Sequence, residues 1–205
     1  VINIIAQILA ANALLTTIFG FNAYINAAIS VIVMVCYVVF GGALGAGILG
    51  VVKLGLISAS ALFGAFLALK SCGGLSGIMS VLPKEQYFNF FARGIGTDLG
   101  GAFSVILGIV STQTYIQALI AGKSNKDAVK GCLMSAVVCP LVGFCCILIG
   151  YASKILHPEI ASGQAFPFFA MAHMPPFITG VVLATLLLAV VGTGSGMAFG
   201  FGTIM

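Results

Sequence analysis

One cation stands where a cation is expensive. Lys53 lies inside the apolar stretch Tyr37 to Leu69, YVVFGGALGAGILGVVKLGLISASALFGAFLAL. At membrane depth a charged side chain costs about 2.5 kcal/mol on insertion scales and above about 10 in simulations. A charge kept there has a partner, a cavity or a task, unless it snorkels to the nearby interface. Two more groups could do chemistry. The segment LLAVVGTGSGMAFGFG places Thr193 and Ser195 among glycines. Hydroxyls beside carbonyls freed from a helix are hard oxygen ligands of the kind that hold an alkali cation. Close helix packing by small residues explains the same pattern. Upstream, Ser104, Gly108, Ser111 and Tyr115 share one helical stripe, with Thr112, Gln113, Thr114 and Gln117 around its end. Such a face lines a wet cavity, or its hydroxyls bond back to the preceding turn.

The elements that position these residues are membrane helices. Of 205 residues, 61% are hydrophobic and 6% charged, where an ordinary globular domain carries about 25% charged residues. Mean hydropathy is +1.24. Runs of about 20 apolar residues recur, the length a helix needs to cross a bilayer, and the alternation of a membrane barrel is absent. The expected fold class is an all-α, multi-pass protein of the cell membrane with about six transmembrane helices. A small, dispersed net charge of +4 gives nucleic acid nothing to bind. The six cysteines, Cys36, Cys72, Cys132, Cys139, Cys145 and Cys146, show no CxxC spacing and read as small packing residues.

Six spans are expected: A over 2–21, B over 23–42, C over 45–69, D over 94–120, E over 128–155 and F over 177–200. The Gly41–Gly45 link between B and C suits a tight turn. A polar connector spans 70–93, and 157–176 reads as an interfacial hairpin or short surface helix. Glycines in D and F predict irregular backbone there, as in the discontinuous helices of transporters. GIGTDLGG is not a dinucleotide fingerprint, since no strand precedes it and the spacing is wrong. Lys123, Lys126 and Lys130 form the densest basic cluster and place the D–E loop in the cytoplasm.

Enzyme chemistry finds no support. Glu85, Asp98 and Glu159 fall near span ends, and no Ser-His-Asp or paired-carboxylate arrangement exists. His157 and His173 lie apart from any second ligand at metal spacing, so no metal site and no cofactor is expected. The start at Val1 and the stop at Met205 point to a piece of a longer chain.

From Tyr37 onward the sequence resembles the sodium/solute symporter family. Three stretches carry the resemblance: YVVFGG (37–42), STQTYIQALIAGKSNKDAVKG (111–131) and QAFPFFAMAHMPPFITGVVLATLLLAVVGTGSG (164–196), the last with the family's P-x-x-x-x-G lead-in to its eighth core helix. The resemblance implies a fold of two inverted five-helix repeats. Residues 1–70 would then be the last three helices of the first repeat, 71–93 an extracellular connector, and 94–205 the first three helices of the second. It implies a sodium site on span F at Ala189, Gly192 and Thr193, with Ser195 beside a second ion position. The other half of that site belongs to a helix before residue 1. The implied solute cavity falls at Ser104, Gly108, Ser111, Gln113 and Cys139.

The chain departs from the family pattern at informative places. Gly192 stands where serine is usual, Gly50 and Lys53 where aspartate and glutamine are common, and Ala118 where arginine is common. Val105, Gly108 and Cys139 replace the Asn, Tyr and Lys of sugar-carrying members, which argues against a sugar. The expected function is secondary active transport of a small organic solute by alternating access, coupled to Na+. The alternative is a sodium-independent or H+-coupled carrier in which Lys53 replaces the ion. A channel or membrane scaffold subunit is the third reading. Solute, Na+ or H+ and the lipid bilayer are the expected partners.

Overall fold

A computed structural model describes residues 2–112, 115–116, 120 and 124–202, with the backbone alone for 41–49. Among the described residues the secondary structure is helical. Its elements are α1 (Ile2–Phe19), α2 (Ala23–Ser71), α3 (Gly74–Val81), α4 (Lys84–Tyr87), α5 (Ile95–Ser111), α6 (Asn125–Leu156), α7 (Ala165–His173) and α8 (Pro176–Gly202). A 3-10 turn, Ser162–Gln164, leads into α7.

Among the described residues, five segments are long and apolar enough to cross a bilayer: Ile2–Phe19, Ala23–Phe40, Gly50–Ser71, Asn125–Leu156 and Pro176–Gly202. They coincide with spans A, B, C, E and F. Span D appears as the shorter apolar helix Ile95–Ser111. This is a multi-pass membrane protein.

Local chemistry explains the helix ends. α1 stops at Gly20, whose φ of +68° is open to glycine at little cost. Asn22 then caps α2, its side chain accepting from the Tyr24 amide at 3.2 Å. Fully buried Asn26 pins this hairpin by donating to the Thr16 hydroxyl (2.9 Å) and the Phe21 carbonyl (3.1 Å). Ser124 caps α6 by accepting from the Asp127 amide and donating to its carboxylate, an N-cap with an acid in the first turn.

The tight turn expected at Gly41–Gly45 is replaced by something else. α2 stays helical for 49 residues, about 74 Å of rise against about 30 Å of hydrocarbon. Yet it is not straight. Tyr37 and Lys53 both reach Gly192, although sixteen residues of a straight helix separate them by about 24 Å, too far for two side chains to meet on one residue. The axis therefore bends between Tyr37 and Lys53, and α2 carries a span-length arm on each side.

The core gathers at one end of the molecule. The second arm of α2 offers a small-residue stripe, Ala61, Gly64, Ala65 and Ala68. Against it pack Cys145, Leu148, Ile149 and Ala152 of α6, Phe169 and Ala170 of α7, and Val182 of α8. Small residues let helix backbones approach closely, the usual device where lipid supplies no hydrophobic drive. A Cβ on Gly64 would come within 2.7 Å of the Ile149 Cδ1. The connector is tied in as well: Tyr151 donates to the Tyr87 carbonyl at 2.6 Å and meets the Tyr87 ring edge-on. α5 holds no buried residue, and the buried residues of α6 begin only at Cys145.

Candidate ion and solute site

The second half of α8 meets α1 and α2 at Gly192, Gly194 and Ser195. The missing side chain of Gly192 makes room for two visitors from α2: a Cβ there would lie 3.3 Å from the Lys53 Nζ and 3.8 Å from the Tyr37 hydroxyl. Two residues on, and round the other side of the helix, a Cβ at Gly194 would collide with the Met34 thioether and crowd Gln7 of α1. Ser195 is buried and donates to the Met34 carbonyl at 3.1 Å. Thr193 donates back to the Ala189 carbonyl at 2.7 Å. Lys53 and Tyr37 thus meet α8 at one expected ion-site residue, Gly192, and a second, Ser195, is bonded to α2 at Met34.

Lys53 is half-buried there, while its neighbours Val51, Val52, Leu54 and Leu56 are exposed. Its ammonium points into the α2–α8 seam. Gly192 lies three residues past the middle of α8, about 4.5 Å along the axis, so the charge meets α8 near its centre.

Irregular backbone was expected in both D and F. In D the helix stops at Ser111, and Thr112 is extended with ψ of 116°. F differs: α8 is unbroken from Pro176 to Gly202. The reason lies in the glycines, which admit Lys53, Met34 and Gln7 at close range and do not break the rod. A glycine inside a helix costs about 1 kcal/mol, little enough for packing to offset. The carbonyls of Ala189 and Gly192 remain in the helical ladder, and Ala189 accepts from Thr193 in addition.

The expected solute-cavity residues stand apart from this seam. Ser104, Gly108 and Ser111 are exposed on α5, and the Ser111 hydroxyl bonds back to the Leu107 and Gly108 carbonyls. Cys139 is exposed on α6. Gln113 and Ala118 lie outside the described residues.

A second polar contact escaped the sequence reading. The Nε2 atoms of His157, at the end of α6, and His173, at the end of α7, lie 3.4 Å apart. His157 meets Phe168 edge-on, and His173 lies against Phe169. Burial first, then the neighbouring His157, holds His173 below the ordinary histidine range. Their spacing of sixteen residues gives no local signal. The turn through Ser162–Gln164 brings them together beside a cavity of about 380 Å³ lined by Tyr87, Ser153, Lys154 and Ser162. Among the described residues no group of three metal-ligating side chains forms.

With this geometry in place, comparison with known families is decisive. The model of the sodium:solute symporter family matches residues 1–200. The chain belongs to that family. No individual curated protein and no solved structure matches it. Family membership implies sodium-coupled movement of solutes across a membrane, which agrees with the five apolar spans. In this symporter, then, the Lys53 ammonium meets α8 at Gly192.

Proposed function

We propose that the protein is a secondary active transporter that moves a small organic solute by alternating access around the α2–α8 seam. One observation carries the reading: the Lys53 ammonium lies against Gly192, one of the expected ion-site positions. Hydroxyl and carbonyl oxygens at mid-depth in α8 suit a sodium ion, with Ser195 adjacent. Residues 1–70 and 94–205 would supply parts of two inverted repeats, so that rocking of one against the other exposes the seam to each side in turn. Ser104, Gly108, Ser111, Gln113 and Cys139 would complete the solute path from α5 and α6.

The same observation favours a second reading of the coupling. Gly192 takes away one hydroxyl ligand, and the Lys53 ammonium lies 3.3 Å from where a Cβ would stand. Two positive charges so close repel strongly in a medium of low dielectric. Lys53 then replaces the coupling ion, as a fixed charge or by releasing its proton. Uptake by the full-length protein in proteoliposomes, with sodium and pH gradients varied separately, distinguishes the two. Uptake driven without sodium and abolished in Lys53→Gln supports replacement. Strict sodium dependence that survives Lys53→Gln leaves ordinary sodium symport.

A further inference from the structure

The corner between α6 and α7 holds a contact that the transport reading does not use. His157 follows the last turn of α6, and His173 is the last residue of α7. Their Nε2 atoms lie 3.4 Å apart and their ring centres 5.6 Å apart. That centre distance is close to the largest that the nitrogen separation allows, so the rings meet nearly head-on through those two nitrogens. One ring must then donate and the other accept, which requires at least one of them to be neutral. A single extra proton strengthens the contact as a charge-assisted bond. A second makes both nitrogens donors and sets two cations against each other.

Protons reach the pair from solvent. His157 lines the cavity of about 380 Å³ together with exposed Lys154 and exposed Ser162. Few other titratable groups surround it. On α6, Lys154 precedes His157 and donates to the Pro158 carbonyl at 3.3 Å, and Tyr151 donates to the Tyr87 carbonyl. Exposed Glu159 follows in the turn, and Tyr87 of α4 lines the cavity. Cys72, after the end of α2, packs against the apolar cluster that holds Phe169. α1, α8 and the Ser162–Gln164 turn carry no charged side chain. The negative end of the α6 dipole favours the first proton on His157, and nothing on these elements offsets the second except Glu159.

The pair ties down the entry to α8. Thr179, in the first turn of α8, donates to the Ala170 and Met174 carbonyls at 3.0 and 3.1 Å. α7 and the start of α8 therefore form one corner. Two polar contacts fasten that corner to α6: the Ser153 hydroxyl on the Ala165 carbonyl at 3.1 Å, and the histidine pair at the other end of α7. The first is indifferent to pH, and the second is not. α8 continues unbroken from this corner to Gly192, where Lys53 meets it. We infer that His157 and His173 form a proton-released clasp, which holds the α7–α8 corner on α6 until both rings are protonated and slows transport when it opens. This rests on the transport reading above and adds a regulator to it. α6 starts beside the basic loop expected in the cytoplasm and is long enough to cross the bilayer, so the regulating protons are those outside.

The test measures uptake by intact cells expressing the full-length protein, with external pH at about 7.5 or about 5.5, on either side of the ordinary histidine value. Radiolabelled amino acids, mono- and dicarboxylates and polyols are offered, and the one taken up fastest is the probe. His157→Gln and His173→Gln keep a hydrogen-bonding side chain that does not titrate. External acid changes the proton gradient for every protein alike, so each variant is compared with the wild type at each pH. The variants should match the wild type at about pH 7.5 and exceed it about threefold or more at about pH 5.5. Should one variant fail to fold, the other carries the test. The same response to acid in the wild type and both variants overturns the inference. Variants that are equally slow at both pH values make the pair a structural contact only and also overturn it. Failure to take up any probe at any pH overturns the transport reading instead, and hydrogen exchange of the α7 amides then still decides whether acid opens the contact.

Discussion

The two ends of α8 obey different rules. Near Val182 the helix is glued to α2, α6 and α7 by apolar contact, and Thr185 satisfies its hydroxyl within its own helix by donating to the Val181 carbonyl. Near Gly192 the same helix touches an ammonium, a phenol, a buried hydroxyl and a thioether. One half maintains the fold. The other keeps costly polar groups together, and that cost is the mark of a working site. Both halves rely on glycine or alanine for close approach, so small residues alone do not reveal which half is which. The difference lies in what the small residues admit: Ile149 and Met174 at Gly64, Lys53 and Tyr37 at Gly192.

Substitutions should separate the two ends. The largest effect belongs to the core. Phe169→Ala empties a fully buried site and should cost about 3 to 5 kcal/mol, read as a large loss of thermal stability in detergent with solute preference unchanged among surviving molecules. Gly64→Val should cost about 1 to 3 kcal/mol by overpacking against Ile149 and Met174. Lys53→Gln should do the opposite. Thermal stability should stay level or rise, because an uncompensated charge is removed, while uptake falls at least tenfold, about 1.4 kcal/mol. A Lys53→Gln protein that melts early and still transports normally would erase the distinction between the two ends.

The His157–His173 contact sharpens the comparison at the fold-maintaining end. His173 titrates below its ordinary value of about 6.5. Proton uptake is therefore weaker in the folded state than in the unfolded one, and stability is lost as pH falls below that value. The α6–α7 corner should loosen as pH falls below about 6.5, and His173→Gln should flatten that dependence. Lys154, which donates to the Pro158 carbonyl, and exposed Glu159 are the nearest charged groups in sequence. Hydrogen exchange of α7 amides across this pH range reads the effect. The smallest change is expected at Ser111→Ala. Its hydroxyl is exposed and already bonded within α5, so stability should move by less than about 0.5 kcal/mol.

Much of the fold was legible in the sequence. Spans A, B, C, E and F were delimited by apolar length alone, because a bilayer imposes a length on any helix that crosses it. Lys53 also announced itself, since a charge in such a stretch has few innocent explanations. The partner of Lys53 was not legible as a contact. It depends on the bend in α2, which brings residues sixteen apart onto one glycine, and no local periodicity encodes that. The glycines of span F misled for a related reason. Sequence shows where a helix lacks side chains, and only the packed neighbours reveal whether the gap serves a break or a visitor. For His157 and His173 the signal was missing altogether, because a turn of irregular backbone sets their meeting.

The bend is the claim on which the site depends. In a full-length protein freed of its native cysteines, the pairs Tyr37→Cys with Gly192→Cys and Lys53→Cys with Gly192→Cys can be cross-linked in the membrane. Both pairs should link efficiently with the same short reagent, because both arms of α2 converge on one residue of α8. If only one pair links and the other stays free, α2 does not fold back on α8, and the site built around Lys53 is contradicted.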